Sequence, residues 1–311
     1  MPTLVDRSAA ALDNSLASFA QAFARRRNPA QRQQFDHPTL RWLETPVGTI
    51  RALDTGTPGP CIVIVPDGPN VIEHYNSLIP QLALSARVVC FDMPGFGFST
   101  PRADYRHTLD EGARAVLGVM DQLAIERATL AFSCANGFYA LRSARLAPHR
   151  VTSLFLSQTP SLRAMHAWVD RVIPTPLRLP VVGQTIAWLG RQTLARRWYA
   201  QSLPRDTDRE PYRSTARNAL KAGACFSLAG VVQGLNAGSP SELEGVTAPC
   251  SLLWGQRDRS HRKTDPRSLL ECSPHADIQV FEAFGHFPDL EMSDYAARLT
   301  AHVASTREPS T

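Results

Sequence analysis

No run of this chain is both apolar and long enough to serve as a bilayer-spanning helix. The first residues also lack the apolar core of a secretory signal. No two cysteines stand at CxxC spacing, and none shares a metal-ligand spacing with histidine, so neither a zinc cluster nor a dithiol redox motif is indicated. The six cysteines, Cys61, Cys90, Cys134, Cys225, Cys250 and Cys272, read as reduced residues of a cytoplasmic protein. Charge of one sign is scarce as well. The formal net charge of +5 is too mild to point to nucleic acid. Neither an internal repeat nor a low-complexity tract is visible, which excludes a solenoid.

What is present is a globular composition, with 43% apolar and 20% charged residues in 311. That length fits one large α/β domain carrying an insertion better than two independent domains. Leu4–Arg27 has the pattern of an amphipathic helix ending in three arginines, either a targeting or partner-docking helix or, the favoured reading, a helix packed on the body. Thr39–Pro46 and Gly48–Asp54 alternate as a strand pair. Cys61–Val65 is a continuous apolar run, as a central parallel strand should be. A helix is expected over Val71–Leu84, a strand over Ala86–Phe91, and a helix over Leu109–Leu123 with Thr108 as N-cap. Further strands are expected over Val151–Ser157, Cys250–Trp254 and Asp277–Phe281. Strands alternating with helices predict a doubly wound, mostly parallel sheet. Between Pro160 and about Glu244 the alternation stops, and helical segments are broken by Pro174, Pro176, Pro180 and Pro204. The predicted organisation is an N-terminal extension over 1–38, a core over 39–158 and 246–311, and a helical cap over 159–245.

The segment Arg127-Ala128-Thr129-Leu130-Ala131-Phe132-Ser133-Cys134-Ala135-Asn136-Gly137 reads as an apolar strand, a sharp turn and a small-residue helix. It resembles the nucleophile elbow of the α/β-hydrolase family, usually Gly-x-Ser-x-Gly. Three registers compete. Cys134 as the nucleophile matches Arg127, Thr129 and Leu130 before the turn, and Ala140, Ala144 and Pro148 after it. Ala135 fits the steric rule better, between Ser133 and Gly137, but supplies no nucleophile. Ser133 stands between Ala131 and Ala135. In the first register Phe132 and Asn136 occupy positions where the turn normally has glycine.

Other segments resemble the same family. Asp92-Met93-Pro94-Gly95-Phe96-Gly97-Phe98-Ser99 is similar to its Asp-x-x-Gly-x-Gly-x-Ser loop, whose role is structural. Trp254-Gly255-Gln256-Arg257-Asp258 is similar to the turn that supplies the acid, and Gly285-His286-Phe287-Pro288 to the loop that supplies the histidine. The order nucleophile, acid, histidine is the family's order. The resemblance covers about Thr39 to Val303. It implies the α/β-hydrolase fold with a helical cap, and a Cys134–His286–Asp258 triad. The amides of Gly68 and Ala135 would form the oxyanion hole. Asp67 is an odd neighbour for that hole: it would either turn away as a turn-forming aspartate, the favoured reading, or stay protonated and do acid–base work. Helix-dipole and imidazole charge would favour the Cys134 thiolate and make it the one cysteine alkylated at neutral pH. Trp168, Trp188 and Trp198 would line an apolar acyl pocket under the cap.

The activity implied is cleavage of a small-molecule ester or thioester through a covalent acyl-enzyme, with no cofactor and no metal. An acyltransferase or cyclase acting on a carrier-bound chain is the alternative within enzymes. Arginines 163, 171, 178, 191, 196, 197, 205, 209, 213 and 217 of the insertion would attract an anionic carrier such as coenzyme A or an acyl carrier protein, or would be a solvated surface. The alternative of another class is a non-catalytic protein binding a small apolar ligand under the cap.

Overall fold

The computed structural model describes residues 3–27 and 29–306. Residues 1, 2, 28 and 307–311, which fall within the expected extension and core, lie outside the described residues. The strands are β1 (Leu40–Thr45), β2 (Gly48–Asp54), β3 (Cys61–Val65), β4 (Arg87–Phe91), β5 (Phe96–Gly97), β6 (Thr100–Pro101), β7 (Ala128–Phe132), β8 (Val151–Ser157), β9 (Cys225–Phe226), β10 (Cys250–Gly255) and β11 (Asp277–Phe281). The main sheet runs β1-β2-β4-β3-β7-β8-β10-β11, with β6 on β2. From β4 to β11 every pairing is parallel, while β1–β2 and β2–β4 are antiparallel. β3 and β7 are central and almost wholly buried, which explains their unbroken apolar runs. Helices cover both faces. The helix Leu109–Gln122 begins where Thr108 accepts from the Glu111 amide and Glu111 returns the bond to the Thr108 amide.

Two expectations are corrected. Val71–Leu84 is not one helix but a 3₁₀ turn, Ile72–Tyr75, followed by a short α-helix, Leu78–Leu82. Pro80 has no N–H to give the Asn76 carbonyl, and its ring would crowd that oxygen, so a helix cannot run on from Tyr75. The stretch expected to lack strands contains β9, which pairs antiparallel with β5. Otherwise the chain between β8 and β10 is helical, with the helices Leu162–Val172, Thr175–Arg178, Val182–Ser202, Glu210–Lys221 and Leu228–Asn236. Among the described residues no helix is long and apolar enough to cross a membrane.

Asp92 organises the loop after β4. Its carboxylate accepts from the Phe98 and Ile72 amides, at 3.1 and 3.3 Å, and pairs with the fully buried Arg51 at 3.2 Å. Arg51 also pairs with Glu73. The acid of this loop is thus spent on backbone and buried charge, away from the chemistry.

The helix Leu4–Arg27 lies on the body through a small-residue face, with Ala9, Ala10, Ala17 and Ala24 buried. Asn14 donates to the carbonyls of Arg102 and Tyr105, and Gln21 to that of Phe98. Asp13 on the same helix is half-buried, and desolvation raises its pKa to about 7 against the opposing bond from Ser227. Facing it are Asp6 from its own helix, Tyr105, Arg106, His107 and Thr108 from the neighbouring loop, and Gln184 and Gln233 from the insertion. His107 is held neutral by burial, with a pKa lowered to about 3. A carboxyl whose folded pKa is raised binds its proton more tightly when docked. Docking is therefore strongest below the unfolded value near 4 and is lost as pH rises through about 7. Hydrogen exchange over Leu4–Arg27, corrected for intrinsic rates, should show protection falling between about pH 4 and 7, and Asp13→Asn should remove that fall. Equal pH dependence in the two proteins would refute the assignment.

Candidate active site

At the elbow the strained backbone position is that of Cys134. Cys134 sits between β7 and the helix Ala135–Leu146 at φ 49, ψ −122. A non-glycine residue at positive φ carries strain on the order of 1–3 kcal/mol, which the surroundings must hold in place. They do so from both sides: the Cys134 amide donates to the Ser157 carbonyl at 2.8 Å, and Ser133 bridges to Ser157. Ser133 thus belongs to the sheet edge and Ala135 to the helix. The missing glycines are compensated. Phe132 points into the core and meets Phe91 edge-on, while Asn136 donates from Nδ2 to the Pro66 carbonyl at 3.2 Å. The residue that must lack a side chain is Gly137, where a Cβ would lie 2.1 Å from Thr159 Oγ1.

Asp258 and His286 meet because two loops cross at glycine. A Cβ on Gly255 would lie 2.0 Å from the Gly285 carbonyl. The His286 amide is anchored on the Ser202 carbonyl at 3.0 Å, which ties this loop to the insertion. His286 Nδ1 lies 2.5 Å from Asp258 Oδ2. The other Asp258 oxygen accepts from the Ser260 amide and hydroxyl, at 2.8 and 2.7 Å. Gln158, at the carboxyl end of β8, donates to Asp258 Oδ2 at 2.9 Å and accepts from the Gly255 amide at 2.7 Å. Sequence reasoning missed Gln158 because no motif marks it. Its place just after a central parallel strand was the only available signal.

Cys134 Sγ and ring nitrogens of His261 and His286 lie within 4.8 Å of one another. The two imidazoles stack at 27° with centroids 5.5 Å apart, so their in-plane lone pairs run side by side rather than converging on one ion. Burial lowers the pKa of His261 to about 3, so it packs against His286 as a neutral ring.

Asp67 corrects the expectation that it turns away. Its carboxyl is buried, faces the cavity, and lies 3.2 Å from His286 Nε2. His286 is therefore held between two carboxyls. Burial alone would disfavour its cation, but the charge of Asp258, the neighbouring Cys134 and bonds to Asp258 and Asp67 raise its pKa well above the ordinary value. Burial would raise Asp258, yet the imidazole holds it well below the usual carboxylate range. Asp67 is raised, by burial first and against the pull of His286. The expected thiolate is corrected too. Burial and then the Asp67 charge push Cys134 up to about 11, against the opposing His286, so it rests as a thiol. The gradient from helix dipole and imidazole is outweighed by desolvation and a like charge.

In front of these groups lies a cavity of about 240 Å³. Core residues Asp67, Gly68, Cys134, Ala135 and Asn136 form its floor, and the insertion supplies its apolar walls. Neither the Gly68 nor the Ala135 amide donates to a protein acceptor among the described residues. Gly68 must be glycine, since a Cβ there would enter the Phe96 ring at 2.5 Å. Trp168 and Trp198 are on the wall; Trp198 meets His286 edge-on at 5.0 Å and Trp168 stacks on His261 at 4.9 Å. Trp188 is not on the wall. The Arg191 guanidinium covers its ring instead, because Trp188 lies on a different face of the helix Val182–Ser202 from Leu194, Arg197, Trp198 and Gln201. Part of the arginine-rich surface is internally paired, as in Arg178–Asp170, Arg217–Glu210 and Arg163–Glu271.

Residues 62–299 match the model of the alpha/beta hydrolase family. The chain is 37% identical over 105 residues to 2-hydroxymuconate semialdehyde hydrolase of Pseudomonas sp. strain CF600, a match covering 33% of this chain and 37% of that relative's length. It is 28% identical over 253 residues to 2-hydroxy-6-oxononadienedioate/2-hydroxy-6-oxononatrienedioate hydrolase of Cupriavidus pinatubonensis, covering 78% of this chain and 86% of the relative. Among solved structures, the enol-lactonase from Burkholderia xenovorans LB400 superposes with TM-score 0.68 at 19% identity, covering 85% of this chain and all of that one (100%). A likeness at that identity speaks for the fold. With the family match spanning most of the sheet, the elbow and both loops that carry Asp258 and His286, this chain belongs to the alpha/beta hydrolase family.

Proposed function

We propose that this protein is an enzyme that opens the ester or thioester bond of a small, largely apolar acyl compound through attack by Cys134. The observation that carries this reading is the convergence on one cavity floor of the strained Cys134, the Asp258–His286 pair and two unengaged amides, Gly68 and Ala135. The thiol loses its proton to the base as sulfur bonds the carbonyl carbon. The two amides face the position where negative charge develops on the carbonyl oxygen. Collapse expels the alcohol or thiol and leaves a thioester on Cys134, which water then cleaves. A cavity of about 240 Å³ lies below the roughly 300–1,000 Å³ of drug-sized sites, which favours a small acyl group. Trp168, Trp198 and the aliphatic residues of the insertion would act as the cap that excludes bulk water.

The test is trapping. A panel of acyl thioesters and activated esters of two to ten carbons is mixed with the protein, acid-quenched and weighed intact. An acyl adduct mapped to Cys134, formed fastest with one chain length, is the expected result. Absence of an adduct with every compound, together with tight binding of one of them, would overturn this reading in favour of a ligand-binding protein.

A further inference from the structure

We infer that Asp67 is a catalytic residue of this site, its carboxyl carrying, together with His286, the proton that passes between the Cys134 thiol and the departing group. This rests on the thiol reading above and concerns a residue that reading does not use. Asp67 is buried, lies on the cavity floor beside the Gly68 amide, and occupies His286 Nε2 at 3.2 Å. Nε2 is the nitrogen left to serve the nucleophile once Nδ1 is committed to Asp258 at 2.5 Å. A carboxylate in that place would repel an oxyanion held at Gly68, unless it is neutral when the oxyanion forms. Proton transfer achieves this.

At rest Asp67 and His286 share one proton, and the pair has room for a second. As the S–H bond breaks and the S–C bond forms, the carbonyl π electrons move to oxygen and the thiol proton enters the pair. Asp67 is then neutral, and the only new negative charge is the oxyanion between the Gly68 and Ala135 amides. When the carbonyl re-forms, the bond to the leaving group breaks with its electron pair. The pair returns one proton to that group, which departs as a neutral alcohol or thiol. Attack by water on the acyl-enzyme repeats the cycle, its proton entering the pair and passing to the Cys134 sulfur as the thioester opens. Protons, electrons and charge balance in each half. Burial first, and the like charge of Asp67 second, keep Cys134 protonated between turnovers, so the nucleophile is generated only as bond formation proceeds.

Asp67→Asn separates these roles. It removes the charge beside the thiol and the proton acceptor together. Alkylation of Cys134 by iodoacetamide at pH 7 should rise at least tenfold, while turnover of the best ester falls at least a hundredfold. A residue that only shapes the turn would leave both unchanged or lower both together. Asp67→Ala should show the same turnover loss, with part of it restored by millimolar formate. Turnover of Asp67→Asn within threefold of the parent, or a joint fall of alkylation and turnover, would overturn the inference. So would failure of both variants to fold, which would make the side chain structural. These outcomes stand apart from the thiol reading, which fails if Cys134→Ala keeps full turnover and survives if Cys134→Ala is inactive while Asp67→Asn is normal.

Discussion

Cys134→Ala is expected to lower turnover of the trapped substrate at least a thousandfold while leaving the protein folded. The substitution removes one sulfur from a site that is 5% exposed, a loss of about 1 kcal/mol of burial. The backbone at φ 49 is fixed by the Ser157 carbonyl and the helix that follows, neither of which involves the thiol. What alanine cannot do is form the acyl bond. Removing the nucleophile of a triad costs several powers of ten, and the oxyanion amides account for what remains. Cys134→Ser should be milder. The hydroxyl occupies the same place but never forms an appreciable anion, so attack slows and the acyl-enzyme becomes a less reactive oxoester. If water is the natural acceptor, serine should keep activity within about a hundredfold, near 2.7 kcal/mol of barrier. If the acceptor is an alcohol or amine, the serine protein should accumulate a stalled adduct instead. Turnover and intact mass of both variants decide the matter, and full activity in Cys134→Ala would remove the nucleophile from the mechanism.

How much of this could be read from the chain depends on whether a residue acts through the backbone or through a distant neighbour. The strands were legible because burial on both faces forces apolar runs, as in Cys61–Val65 and Ala128–Phe132. The loops that carry Asp258 and His286 were legible because a crossing with no room for a Cβ demands Gly255. The elbow was only half legible. Its usual glycines are absent, and the steric demand has moved to Gly137, against Thr159 in a loop that the local pattern cannot see. The protonation state of Cys134 was not legible at all. Helix position and the nearby histidine both point to a thiolate, and only in the fold do burial and then the Asp67 charge outweigh them. Trp188 was misplaced for a similar reason. A tryptophan on an apolar helix marks a buried face, but Arg191 one turn on can cover it as well as a cavity can. Gln158 gave no signal because its two bonds, to Asp258 and to the Gly255 amide, span about 100 residues of sequence.

Asp258→Asn should cost about a thousandfold or more in turnover with little change in substrate binding. The wild-type carboxylate accepts at every position: from His286 Nδ1, from Gln158 Nε2 and twice from Ser260. An asparagine must present its NH₂ at one of them. If it faces Ser260 it meets an amide N–H, and if it faces His286 it meets Nδ1–H. The second clash is relieved by moving the ring proton from Nδ1 to Nε2, so the imidazole turns to the other tautomer. Nε2–H then donates to Asp67 at 3.2 Å, so the ring offers the thiol proton no lone pair and Asp67 would have to take it without the imidazole's help. The imidazolium also loses the carboxylate that raises its pKa, so it cannot hold a second proton at neutral pH. Both failures act on proton transfer and neither touches the apolar wall. The expected signature is a fall in kcat with KM nearly constant, and an Nδ1-to-Nε2 tautomer change in the ¹⁵N spectrum of His286. A variant with normal kcat, or one that loses kcat while His286 keeps its tautomer, would show that Asp258 does not orient the imidazole.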